Sequence, residues 1–278
     1  MQTPESDPAQ TPLTEISPTE THLRILPAPA PIAPVWHTAV LIGGVVALSV
    51  GGSVQMHRPS NRLLTYGTTA ALEVLMLGWV ALGLRLRRIP FLSLFGAMER
   101  GIRGIALDLG IAFVFWIGSL MILASLGVVW TGAEYAVTHR HEPAHAGQPM
   151  EPNAAQKENV RMLEQLAPAN GVEIACWVVL CCLAGTIEEA VFRGYLQRQF
   201  TAWTKGGVVW GVLFSAMLFG AAHGYQGTRN MVLLAAFGAL FSVLAIFRHS
   251  LRAGIFAHSW HDLIAGLTLA FLRAHHLI

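Results

Sequence analysis

The sequence predicts an all-α fold: a polytopic transmembrane bundle of about seven to eight helices behind a disordered amino-terminal tail. Three observations predict it. The 278 residues are 54% hydrophobic and only 12% charged, with a mean hydropathy of +0.51, whereas an ordinary soluble domain carries about 25% charge. Apolar stretches of about 20 residues, enough to cross a hydrocarbon core about 30 Å thick, recur along the chain. The first 34 residues hold eight of the fourteen prolines, with Thr, Ser and Glu between them. That composition buries too little apolar surface to offset its ordering entropy.

The chain therefore divides into a proline-rich tail, 1–34, and a membrane domain, 35–278. The tail opens MQTPESDPAQ, acidic rather than basic, and no apolar stretch follows until Val35. It does not read as a cleavable signal peptide. Seven spans follow: Val35 to Val54, Leu63 to Leu84, Gly104 to Trp130, Val172 to Gln197, Gly207 to His223, Met231 to Phe247 and Gly254 to Leu272. An eighth arises if the long third span splits, or if FLSLFGAM (Phe91 to Met98) lies at the interface. No internal repeat is visible, which counts against transporters built from paired halves.

Arg85, Arg87, Arg88, Arg100 and Arg103 lie between the second and third spans. The positive-inside bias makes that loop cytoplasmic. Alternation then places the amino terminus inside and the Ala133 to Asn170 loop outside, in a multi-pass protein of the cell membrane. His139, His141 and His145 fall in that outer loop, with no cysteine or ordered turn to frame them, and read as part of a solvated polar segment. The net charge of +2 and the lack of a basic stripe argue against nucleic acid as a partner; membrane lipid is the expected surrounding. Cys176, Cys181 and Cys182 cluster in one span without metal or disulfide spacing and read as packing residues.

The chemistry concentrates between 172 and 272. Glu188 and Glu189 sit side by side inside an apolar stretch, where an ionised carboxylate costs several kcal/mol. Arg193 follows Glu189 by four residues, the favourable order for an i,i+4 pair. That accounts for Glu189 and leaves Glu188 without a local cation. His223 follows Phe219 by four, and Asp262 follows His258 by four, each on another span. Sites formed between helices are usual in bundles. Glu73, Asp108 and Glu173 read as structural or interfacial, and His261 points away from His258 by about 100°.

A carboxylate that takes a proton from water, a histidine that orients that water, and a second histidine that donates to an oxyanion would together hydrolyse a peptide without a protein nucleophile. The sequence has no GxSxG elbow and no HExxH helix. EEAVFR, FGAAH and HSWHD, in this order on successive helices, resemble the three motifs of the CAAX-protease and bacteriocin-processing family of intramembrane endopeptidases, which includes the type II CAAX prenyl endopeptidases. The resemblance covers roughly Glu173 to Leu272. It implies that Glu188 activates water with His223 as partner, and that His258 with residue 262 forms the oxyanion site. Glu189, Arg193 and Phe219 are supporting positions. The implied substrate is a protein or peptide, prenylated or otherwise membrane-associated.

Asp262 departs from the asparagine of the eukaryotic CAAX enzymes. An ionised aspartate only accepts, so it is either protonated, or an orienter of His258, or a metal ligand. No cofactor is expected on the glutamate mechanism; the alternative is zinc on Glu188, His223, His258 and Asp262. Depth adds a difficulty, since counting from the cytoplasmic ends puts His223 deeper than Glu188 and His258 shallower. The leading expectation is an intramembrane endopeptidase acting near the membrane surface. A proton-coupled transporter and a non-catalytic membrane scaffold are the alternatives.

Overall fold

The computed structural model describes residues 29–55, 61–97, 101–138 and 154–275. Among them there are nine α-helices and no strand beyond one isolated bridge between Gly96 and Ser250. They are α1 (Val35–Gln55), α2 (Arg62–Leu86), α3 (Ile102–Thr138), α4 (Ala154–Leu166), α5 (Gly171–Glu188), α6 (Gln197–Trp203), α7 (Val208–Ala222), α8 (Gly227–Arg248) and α9 (Arg252–Ala274). A π-helical segment, Glu189–Leu196, joins α5 to α6 without a break. Six apolar helical stretches among the described residues are long enough to cross a membrane, with Gly171–Trp203 counted as one. The protein is an integral membrane protein.

Six of the seven expected spans have a counterpart among the membrane-length stretches, and the fifth, expected over 207–223, does not. The third does not split: α3 is one helix of 37 residues. FLSLFGAM makes no span; Phe91–Phe95 is a single 3-10 stretch packed under the π segment. α7 has only 15 residues, about 22 Å at the helical rise, short of the hydrocarbon thickness. α4 forms where a loop was expected, because AAQKENVRMLEQL is composed largely of strong helix formers. His139, His141 and His145 lie outside the described residues, as do residues 1–28. Residues 29–34, expected to be part of the tail, are held instead. The Gln199 amide oxygen accepts from the Ile32 and Ala33 N–H groups at 2.8 and 3.2 Å, and its Nε2 donates to the Ala33 carbonyl at 2.9 Å. A buried amide that satisfies three backbone groups fixes a segment that its own composition leaves free.

Caps and ion pairs set where the site helices begin. Asn170 caps α5 by accepting from Glu173 N–H at 3.0 Å, and the Glu173 carboxylate reaches back to Ala169 N–H at 2.7 Å, which gives Glu173 the structural role expected of it. Asp108 of α3 is buried and takes Arg248 at 2.9 Å and Arg252 at 2.5 Å, fastening the α8–α9 turn. That turn is also covered by residues 95–97, with Ala97 N–H donating to His249 and Leu251 N–H to Phe95. α9 therefore starts inside the protein.

The depth difficulty dissolves for the same kind of reason. The helix carrying Glu188 continues past Gln197 to Trp203, so Glu188 and His223 each stand fifteen residues from the α6–α7 turn. His258 nonetheless reaches Glu188, its Nε2 lying 3.7 Å from Glu188 Oε2.

Candidate active site

Glu188 ends α5 and Glu189 opens the π segment, whose eight residues are all buried. Short π-helical stretches inside α-helices are frequent at functional sites, where i→i+5 bonding frees and redirects groups. Here the Gln197 N–H bonds back to the Phe192 carbonyl, which also accepts from Ser215 Oγ at 2.6 Å. α5 approaches α9 closely at Gly185, where a Cβ would stand 2.5 Å from Ser259 Oγ and 2.9 Å from its N. Small residues at such crossings let membrane helices meet backbone to backbone. One turn further on, Glu188 and Glu189 face His258.

Glu189 is fully buried. Its Oε1 lies 2.9 Å from Arg193 Nη1, the pair expected from the sequence, and 3.0 Å from His258 Nδ1. The second contact was not expected. Since the carboxylate accepts, His258 Nδ1–H donates to it, and Glu189 thereby orients the ring. The other nitrogen, Nε2, is 3.7 Å from Glu188 Oε2 and 3.8 Å from Asp262 Oδ2. Both gaps exceed hydrogen-bond length, so the orienting contact considered for Asp262 is made by Glu189. The arginine is enclosed by rings, 4.4 Å above Phe219 and 5.2 Å above Phe241, and Nη2 donates to the Gly238 carbonyl at 3.3 Å.

His223 caps α7 at its C-terminal end. Nδ1–H donates to the Phe219 carbonyl at 2.9 Å, leaving Nε2 as the nitrogen able to accept a proton. Phe219 lies beneath the ring at 4.9 Å and meets Phe192 edge-on at 5.0 Å. It is thus the shared floor of His223, Arg193 and, at 6.0 Å, His258. The charge of Asp262 interacts with His258, Glu188, His223 and Glu189, so all four expected groups fall in one electrostatic neighbourhood. Asp262 is the most open of the site carboxylates, its side chain 32% exposed against 14% for Glu188 and 1% for Glu189. His261 turns away and packs on Phe237 at 4.8 Å.

Sequence reasoning missed Glu73. It stands near the middle of α2, which packs on α5, and its Oε2 is buried without a hydrogen-bond partner, as Glu188 Oε2 is. The signal was available, because Glu73 is a carboxylate in mid-span with no cation three or four residues away, as Glu188 is. Among the described residues, no group of three His, Cys, Asp or Glu side chains is arranged to hold a metal ion.

Residues 170–264 match the family model described as Type II CAAX prenyl endopeptidase Rce1-like. The match contains Glu188, Glu189, Arg193, Phe219, His223, His258 and Asp262. Neither the curated proteins nor the solved structures give a match to the chain. This segment carries all three motifs in order on the helices that converge here, and it is what the chain shares with the type II CAAX prenyl endopeptidases, a group of proteases.

Proposed function

We propose that the protein is an intramembrane endopeptidase that hydrolyses peptide bonds with a water activated by Glu188. The observation that carries this reading is Glu188 Oε2, a buried carboxylate oxygen with no hydrogen-bond partner, 3.7 Å from His258 Nε2. A buried acceptor left unpaired costs free energy, and it accepts readily from water or substrate. In the proposed reaction Glu188 takes a proton from water as the oxygen attacks the peptide carbonyl. His223 holds the same water through Nε2. The carbonyl oxygen gains the negative charge and is met by His258 Nε2–H; donation from both ring nitrogens uses the imidazolium form. As the C–N bond breaks, Glu188 passes its proton to the leaving amine. Asp262 in its protonated form donates to the same oxyanion.

The substrate class proposed is a protein or peptide presented at the membrane; the family does not by itself make prenylated proteins the substrate. Purified protein in detergent should cleave members of a peptide library, and cleavage should survive chelators. Glu188→Gln should lose about 10²-fold to 10⁴-fold in turnover, the usual cost of an essential base. A folded Glu188→Gln protein with normal turnover would overturn the assignment.

We also infer that the amino terminus is cytoplasmic and the protein lies in the cell membrane, from the five-arginine connection. A phosphatase fused within 133–170 should be active outside the cytoplasm, and one fused between Arg85 and Arg103 should be silent. The reverse pattern inverts the topology.

A further inference from the structure

Arg229 is a membrane arginine that the fold itself leaves without a counter-charge. It is the third residue of α8, and its guanidinium reaches across to α3, where Nη2 comes within 3.0 Å of the place that a Cβ would take on Gly127. Its Nε is buried without a hydrogen-bond partner, and among the described residues no carboxylate pairs with it. Arg193, Arg248, Arg252 and Arg273 differ, since each meets a carboxylate or a backbone carbonyl. The Arg229 guanidinium lies in a crevice of about 280 Å³ between α3 and α8, walled by Leu123, Ala124, Gly127, Val128 and Thr131. Thr131 Oγ1 already donates to the Gly127 carbonyl at 2.9 Å. The guanidinium is therefore the one charged donor that the crevice offers.

Depth decides what can reach it. α3 starts at Ile102, beside the arginine-rich connection. Gly127 stands about 25 residues further on, about 37 Å at the helical rise. A hydrocarbon core is only about 30 Å thick, so Gly127, Thr131 and Arg229 stand at headgroup level on the opposite face. Leu123 and Ala124 lie one turn nearer the acyl chains. The crevice opens toward lipid, for Val128 on its rim is 73% exposed. The anion abundant at that depth is lipid phosphate, and the planar guanidinium fork matches two of its oxygens. We propose that the α3–α8 crevice binds one anionic phospholipid, with its phosphate on Arg229 and an acyl chain starting along Leu123, Ala124 and Val128. Headgroup sites of this kind form at basic pockets between membrane helices. A zwitterionic lipid fits less well, because its own ammonium neutralises the phosphate and leaves the arginine charge uncompensated.

Native mass spectrometry of the full chain, released from nanodiscs, reads the bound lipid directly. With phosphatidylglycerol, the wild type should retain one molecule that Arg229→Gln loses. The affinity of that site should fall about tenfold to a hundredfold, the scale of losing charge-assisted hydrogen bonds. Ala124→Trp, on the exposed flank of α3, fills the crevice while keeping the arginine, and should lose the same lipid. Arg87→Gln removes an exposed charge at the other face and should retain it. Phosphatidylglycerol should also raise the melting temperature of the wild type more than phosphatidylcholine does, and that difference should vanish in Arg229→Gln. Wild-type retention of phosphatidylglycerol by both Arg229→Gln and Ala124→Trp overturns the proposal. Equal retention of phosphatidylcholine by the wild type does so too, as does an equal loss in Arg87→Gln. Inorganic phosphate that stabilises the protein as well as phosphatidylglycerol does would make this a site for free anions and overturn the lipid assignment.

Discussion

Asp108 and Glu189 are both buried carboxylates inside membrane helices, and both pair with arginine, yet their neighbourhoods differ in charge balance. At Asp108 each oxygen has its own cation, Arg248 on one and Arg252 on the other. Negative charge is fully compensated there, and the cluster fastens α3 to the α8–α9 turn. At Glu189 a single arginine serves a neighbourhood that also holds Glu188, Asp262 and Glu73. A low-dielectric interior tolerates excess carboxyl groups only with protons or histidines to share them. The difference separates a clamp from a site that can move protons. It lies in the count of partners, since the two carboxylates themselves are about equally buried.

Substitutions on the two arginine clusters test that distinction. Arg193→Ala strands Glu189 among aromatic rings and should cost about 3–5 kcal/mol, the scale of breaking a buried pair, read as lost yield and a lower melting temperature. Glu189→Gln with Arg193→Gln should recover part of the yield without recovering full turnover, because Glu189 also orients His258. Asp108→Asn should cost less, since Arg248 and Arg252 are 19% and 15% exposed and lie at helix ends where they can reach water. Turnover per folded molecule should stay at the wild-type level. A larger activity loss from Asp108→Asn than from the Glu189/Arg193 double change would break the comparison.

The smallest effect is expected at Asp262. Its oxygen is 3.8 Å from His258, beyond hydrogen bonding, and Glu189 holds the ring. Asp262→Asn, nearly isosteric and able to donate, should therefore retain activity within about tenfold of wild type. Stoichiometric zinc in the active enzyme, lost together with activity in this variant, would instead make Asp262 a ligand.

The sequence by itself determined the all-helical membrane architecture, six of the spans and the Glu189–Arg193 pair, and it marked Glu188, His223, His258 and Asp262 as candidates for one site. Those features follow from local spacing: apolar stretches of membrane length, and i,i+4 neighbours on one helical face. Tertiary structure decided what depends on which helix lies against which. It brought Glu189 to His258, sixty-nine residues away, and Asp108 to Arg248 and Arg252, 140 and 144 residues away. It also turned the stretch after Glu188 into a π segment, seated Ile32 and Ala33 on Gln199, and laid α2, which carries Glu73, against α5. Periodicity records which face of a helix a residue occupies. The partner facing it is chosen by packing, through close approaches such as Gly185 on Ser259, and no local pattern carries that choice.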